Sequence, residues 1–226
     1  QVEDGAPAER TLNIPNGIDL PRMEKVRAAR SEEIPQTACL IGRVVPIKDV
    51  KTFLRAMRTL VNEIPDAKGW IAGPEDEDKE YAAECRSLVT SLGLEKNVEF
   101  LGFQKIDELL PKVGVVVLSS ISEALPLVLL EGFAAGVPAV STDVGSCRQL
   151  IEGLDEDDRA FGTAGSVVGI ADPEALGKAV ANLLSNPQAW HEAQQAGIRR
   201  VETLYTQQQM FGSYRELYQG LLEGER

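Results

Sequence analysis

Between residues 37 and about 170, short apolar runs alternate with longer stretches of helical spacing, and this alternation leaves few folds open. The runs are 38–41, 69–73, 97–101, 113–118 and 138–141, with Val167-Val168 as a sixth candidate. They are too short for helices and mostly continuous, as expected of strands covered on both faces. The stretch 49–64 carries Val50, Phe53, Leu54, Met57, Leu60 and Val61 at amphipathic spacing behind Asp49, a candidate N-cap. Further helices are expected at 77–92, closed by Gly93, at 106–112, at 127–135, ended by Gly136, and at 146–151. Such an order builds an α/β fold, a doubly wound, Rossmann-like parallel sheet with helices on both faces. The strand order expected is 3-2-1-4-5-6.

The flanks differ. Residues 1–36 are polar, hold four prolines and include the turn Asn16-Gly17. They read as a lead-in segment rather than as core. Asp172-Pro173-Glu174 opens a helix, with an N-cap, a proline at the first helical position and an acid in the first turn. From there the chain reads as extra C-terminal helices, broken near Asn186-Pro187 and Tyr205-Thr206. The expected division is a lead-in at 1–36, a domain at 37–185 and C-terminal helices at 186–226. The charge run 155–159 reads as a solvated loop.

A formal charge of −12 argues against a nucleic-acid partner or an anionic membrane surface. No apolar run reaches the ~18 residues of a membrane span. The chain begins at Gln1 with no signal-like segment, so a trimmed or processed piece is expected. Cys39, Cys85 and Cys147 are odd in number and show no Cys-x-x-Cys pairing, which fits a reducing compartment and gives no zinc site. Cys39 reads as a small core residue. His191, the single histidine, lies in a polar helical stretch and reads as solvated, so no histidine general base is evident.

Chemistry concentrates at two strand ends. The first strand runs out into Gly42-Arg43-Val44-Val45-Pro46-Ile47-Lys48. Gly42 permits close approach of a ligand, and Arg43 and Lys48 could neutralise a pyrophosphate. Alone, the pair reads more readily as two solvated loop cations. Only one glycine is present, so neither the dinucleotide fingerprint nor the Gly-Lys-Ser/Thr phosphate loop applies. After the fourth strand, Glu123 sits in the turn and Glu131 about one helical turn into the next helix. Such carboxylates can grip hydroxyls of a sugar or ribose while the helix N-terminus between them faces an anion. In the order 3-2-1-4-5-6 the first and fourth strands are neighbours, so both groups would meet in one crevice.

These residues resemble a known family. Gly42-Arg43 with Lys48, Glu123 and Glu131 in their spacing, and Ala134-Ala135-Gly136-Val137-Pro138 followed by Thr142-Asp143-Val144-Gly145 look like the donor-binding domain of the family 4 retaining glycosyltransferases. The lead-in Pro15-Asn16-Gly17-Ile18-Asp19 fits the same pattern, and the resemblance covers roughly residues 12–185. It implies the C-terminal half of a two-domain GT-B enzyme. Arg43 and Lys48 would contact the diphosphate of a nucleotide-sugar, usually a UDP-sugar. Glu123 would contact the transferred hexose and Glu131 the ribose. The backbone amides of Leu125 and Leu127 would face the phosphates, and Phe103 and Gln104 would frame the base; Phe103 reads equally as a core aromatic.

No cofactor and no metal are implied. The acceptor, a growing exopolysaccharide of the kind that builds a biofilm, would be held by a preceding domain, so this half is expected to be inactive alone. Cytoplasmic residence is expected, at the inner membrane through a synthase complex. Ala124, Ser146 and Gln149 depart from the commoner glycine, glycine and glutamate. Two other readings stay open: a nucleotide-sugar epimerase of the same architecture, and a non-catalytic nucleotide-binding module.

Overall fold

The structure, a computed structural model, describes Pro7 and residues 11–223. The parts of the expected lead-in at 1–6 and 8–10, and the last three residues of the expected C-terminal helices, lie outside the described residues. The strands are β1 (Thr37–Ile41), β2 (Lys68–Ala72), β3 (Val98–Gly102), β4 (Val115–Leu118), β5 (Ala139–Thr142) and β6 (Gly165–Val168). They form one six-stranded sheet in the order 3-2-1-4-5-6, every pair parallel. The order expected from the alternation is the order found.

The sheet separates two apolar layers, and successive residues of a strand alternate between them. Ala38 and Leu40 of β1 join Val115 and Val117 of β4 in one layer, under α2 (Val50–Glu63), α3 (Lys79–Ser91) and α8 (Pro173–Ser185). Cys39 and Val116 face the other layer, which packs α1 (Leu20–Ala28), α5 (Leu127–Ala134), α6 (Cys147–Glu152) and α9 (Pro187–Leu204). Burial on both faces explains why the strands read as unbroken apolar runs. The expected caps form: Asp49 accepts from Thr52 N at 3.2 Å, Asp172 from Ala175 N at 2.9 Å, and Gly93 and Gly136 end their helices at φ +65° and +72°. Cys39 is fully buried and His191 is exposed, both as read.

Two readings are corrected. The lead-in contributes to the core, because α1 buries Met23 and Val26 in the second layer. Ile18 ahead of it is pinned to the start of α10 (Gln207–Glu223): Ile18 N donates to Tyr205 O at 2.8 Å and Gln207 N to Ile18 O at 3.0 Å. Two buried apolars on one short helix are too weak a period to stand out among prolines and charges. The charge run 155–159 is solvated at Asp155, Glu156, Asp157 and Arg159 but is not a loop. It forms α7 (Glu156–Arg159), and Asp158 is buried against a fully buried Arg200 of α9, with Arg200 Nε 2.5 Å from Asp158 Oδ1. Among the described residues no helix is long and apolar enough to cross a membrane.

Candidate functional site

The carboxyl ends of β1 and β4 lie side by side, in register from Ala38↔Val115 to Leu40↔Val117. The two loops leaving them are joined. Ile121 N donates to Ile47 O at 3.0 Å, and the Ser119 hydroxyl reaches Lys48 O and Asp49 O, both at 3.0 Å. A short 3-10 turn at Pro46–Lys48 then lifts Lys48 towards the second loop. Its Nζ lies 2.5 Å from Glu123 Oε1, and the Ser120 hydroxyl donates to the same oxygen at 2.7 Å. The Lys48 stem passes over Gly42, whose missing Cβ would lie 3.5 Å from Lys48 Cε. The sequence places both cations and both glutamates in one crevice; the structure brings Lys48 and Glu123 into direct contact there. Ser120 was not singled out, since a serine in a loop carries no signal of its own.

A third loop braces this one. Ser146 N donates to Ala124 O at 2.9 Å, and Thr142 Oγ1 donates to Ser120 O at 2.7 Å. Gly145 stands at φ +51°, where a Cβ would fall 2.2 Å from Glu123 O and 2.6 Å from Ala124 O. Both the left-handed backbone and the contact demand glycine. Gly145→Val should cost about 1–3 kcal/mol from backbone strain alone and push the Glu123 loop outward. Urea denaturation reads the loss, and a variant as stable as wild type would mean that the loop yields freely.

α5 begins just beyond Glu123. Pro126 precedes it with no side-chain cap, and its first turn holds no acid. The first N–H groups of a helix have no partner within it, and the dipole favours an anion there. Leu125 is half-buried and Leu127 exposed at this rim.

The other expected residues stand apart. Arg43 turns away from Lys48 and binds Glu77, with Nη1 at 2.5 and 2.7 Å from its two oxygens. Glu131 is half-buried, one turn further along α5. Burial pushes its carboxyl above the usual carboxylate range; Arg22 opposes that and Asp107 adds to it. Arg22 of α1 forks onto Asp107 of α4 (Ile106–Leu109), at 2.7–3.0 Å. A helix from the lead-in and one after β3 therefore frame Glu131, which no local spacing announces. Phe103 is 80% exposed at the end of β3, so it is not a core aromatic. Gln104 is spent on its own turn, donating to Leu101 O at 2.8 Å. A pocket of about 530 Å³ adjoins the Glu123 loop, and Ala124, Ser146 and Gln149 all line it, with Gln149 Nε2 3.0 Å from the Tyr205 hydroxyl.

Residues 22–200 match the protein family described as glycosyl transferases group 1. The chain is 35% identical over 187 residues to an exopolysaccharide phosphotransferase of Streptomyces coelicolor, covering 80% of this chain and 18% of that protein. It is 30% identical over 168 residues to a D-inositol 3-phosphate glycosyltransferase of Corynebacterium urealyticum, covering 70% and 38%. The chain thus spans less than half the length of these relatives. Among solved structures it is similar to Anabaena HepE in complex with UDP and glucose, with a TM-score of 0.82 at 19% identity, over 97% of this chain and 59% of that one.

Proposed function

The chain belongs to the glycosyl transferases group 1 family, and on that premise we propose that it is the donor-binding half of a retaining, metal-independent hexosyltransferase that uses a UDP-sugar. The observation that carries this is the Lys48–Glu123–Ser120 cluster set against the uncapped N-terminus of α5. A diphosphate placed at that N-terminus meets unpaired N–H groups and the Lys48 ammonium. Those groups stabilise the charge that grows on the leaving diphosphate as the glycosidic bond breaks. Arg43 joins them by swinging from Glu77. Glu123 holds hydroxyls of the sugar, Glu131 the ribose, and the exposed Phe103 ring with Gln104 flanks the base.

In this reading residues 37–185 bind the donor, 1–36 lead in, and 186–226 follow as the C-terminal segment. An acceptor-binding domain precedes this chain in the whole enzyme. The motif Glu123-Ala124-Leu125-Pro126, with Gly42-Arg43-Val44-Val45-Pro46-Ile47-Lys48-Asp49, most resembles the glycosyltransferase of Pel exopolysaccharide biosynthesis. The Streptomyces relative also carries an exopolysaccharide name. Transfer to a growing exopolysaccharide, in the cytoplasm beside a membrane synthase complex, fits both.

The chain alone should bind UDP and transfer no sugar, with a melting temperature that rises with UDP concentration as mass action requires. Arg43→Ala and Lys48→Ala should each weaken UDP binding by about 1–3 kcal/mol and leave uridine binding unchanged. Equal losses for UDP and uridine in calorimetric titration would show that these cations hold the fold instead.

A further inference from the structure

The loop between β2 and α3 carries four consecutive acids, Glu75, Asp76, Glu77 and Asp78. Two have structural tasks. Glu75 accepts a fork from Arg86 at 2.8 and 2.9 Å, and Asp78 caps α3 through Tyr81 N at 3.0 Å. Glu77 grips Arg43 instead. The main chain, not this ion pair, brings the loop there. Val44 N donates to Pro74 O at 2.9 Å, and Gly73 approaches β1 so closely that a Cβ would fall 1.9 Å from Gly42 O. The Glu77 and Arg43 side chains are both 52% exposed, so their pairing contributes little to the fold.

We infer that Glu77 is an internal rival of the donor diphosphate for Arg43 and thereby sets the phosphate affinity of the site. The inference rests on the donor-site reading above. The guanidinium fork suits carboxylate and phosphate alike. Arg43 Nη1 already lies against both Glu77 oxygens, so a diphosphate must displace that carboxylate or sit beside it against like-charge repulsion. Lys48 is held by Glu123 in a similar way, but Glu123 belongs to the sugar site. Glu77 touches only the cation. After transfer, the same carboxylate stands ready to retake Arg43 as the diphosphate leaves.

UDP and uridine are titrated calorimetrically into wild type, Glu77→Gln, Arg43→Ala, the double variant and Asp76→Asn. Glu77→Gln should tighten UDP binding by about two- to fivefold, the range of an exposed ion pair, and leave uridine unchanged. In the Arg43→Ala background it should have no effect. Asp76→Asn removes the same charge from the same loop and should do less. If wild type binds UDP but Glu77→Gln binds it no tighter, Glu77 is no rival and the donor site stands. A gain that persists without Arg43, or that Asp76→Asn matches, likewise overturns the inference. Failure of every one of these proteins to bind UDP overturns the donor-site reading and this inference with it.

Discussion

Arg200→Ala is expected to lower the free energy of unfolding by about 3–5 kcal/mol, the loss seen when one partner of a buried ion pair is removed. The Arg200 side chain is fully enclosed and all three of its nitrogens are engaged. Nε meets Asp158 Oδ1; Nη1 donates to Leu150 O at 3.2 Å and Ile151 O at 2.9 Å; Nη2 donates to Asp158 O at 3.1 Å and Gly162 O at 2.8 Å. Truncation strands the Asp158 carboxylate and the Leu150 and Gly162 carbonyls, whereas Ile151 O keeps Ala164 N at 2.8 Å and Asp158 O keeps Phe161 N at 3.1 Å. The Asp158 carboxylate keeps only Leu154 N, at 2.9 Å, on its other oxygen. Arg200→Lys should recover little, because an ammonium cannot span the five acceptors of the fork. Arg199→Ala, one residue away and exposed, should stay within about 0.5 kcal/mol. Urea denaturation of the three variants decides the matter. A loss for Arg200→Ala no larger than that for Arg199→Ala would mean that the enclosed pair adds nothing net to the fold.

The second large effect separates the two glutamates. Glu123→Ala should leave UDP affinity nearly unchanged, since on the proposed donor-site reading it removes a sugar contact and frees Lys48 for phosphate. In the intact enzyme it should slow transfer by on the order of 10²–10³-fold, the scale of a lost transition-state contact, and lower it far more than donor binding. Glu131→Ala should instead weaken UDP and UDP-sugar alike, by roughly tenfold, the scale of one lost charged hydrogen bond. The geometry is consistent with the division: Glu123 lies in the loop beside Lys48, whereas Glu131 is half-buried a turn further along α5, within the field of the Arg22–Asp107 pair. Calorimetry on both variants, with turnover measured in the intact enzyme, tests it. Loss of UDP binding in Glu123→Ala but not in Glu131→Ala would exchange the two roles.

Most of the fold was legible because its signals are local. Strands such as 115–118 are short and wholly apolar, while Asp49, Asp172, Gly93 and Gly136 mark helix ends within a residue or two of where they form. That the loops carrying Lys48 and Glu123 share one crevice was legible at one remove. It follows once the first and fourth strands are neighbours, and the alternation of elements supports that order. Helix α1 was not legible: its burial depends on a surface assembled from α4 and α5, which begin 78 or more residues further along the sequence.

Composition and period thus determined the elements and the parallel, doubly wound sheet, since both depend on backbone preference and the burial of apolar faces; the order 3-2-1-4-5-6 followed only as the common order of such sheets. The partners of the charges were left to the tertiary structure. Arg43 finds Glu77 across 34 residues and Arg200 finds Asp158 across 42, and in a chain with 35 acidic residues nothing local says which acid a given cation will meet. Packing sets that choice: the main chain carries the Glu77 loop to the exposed Arg43, and an enclosed charge such as Arg200 must take whichever opposite charge the neighbouring elements bring with them.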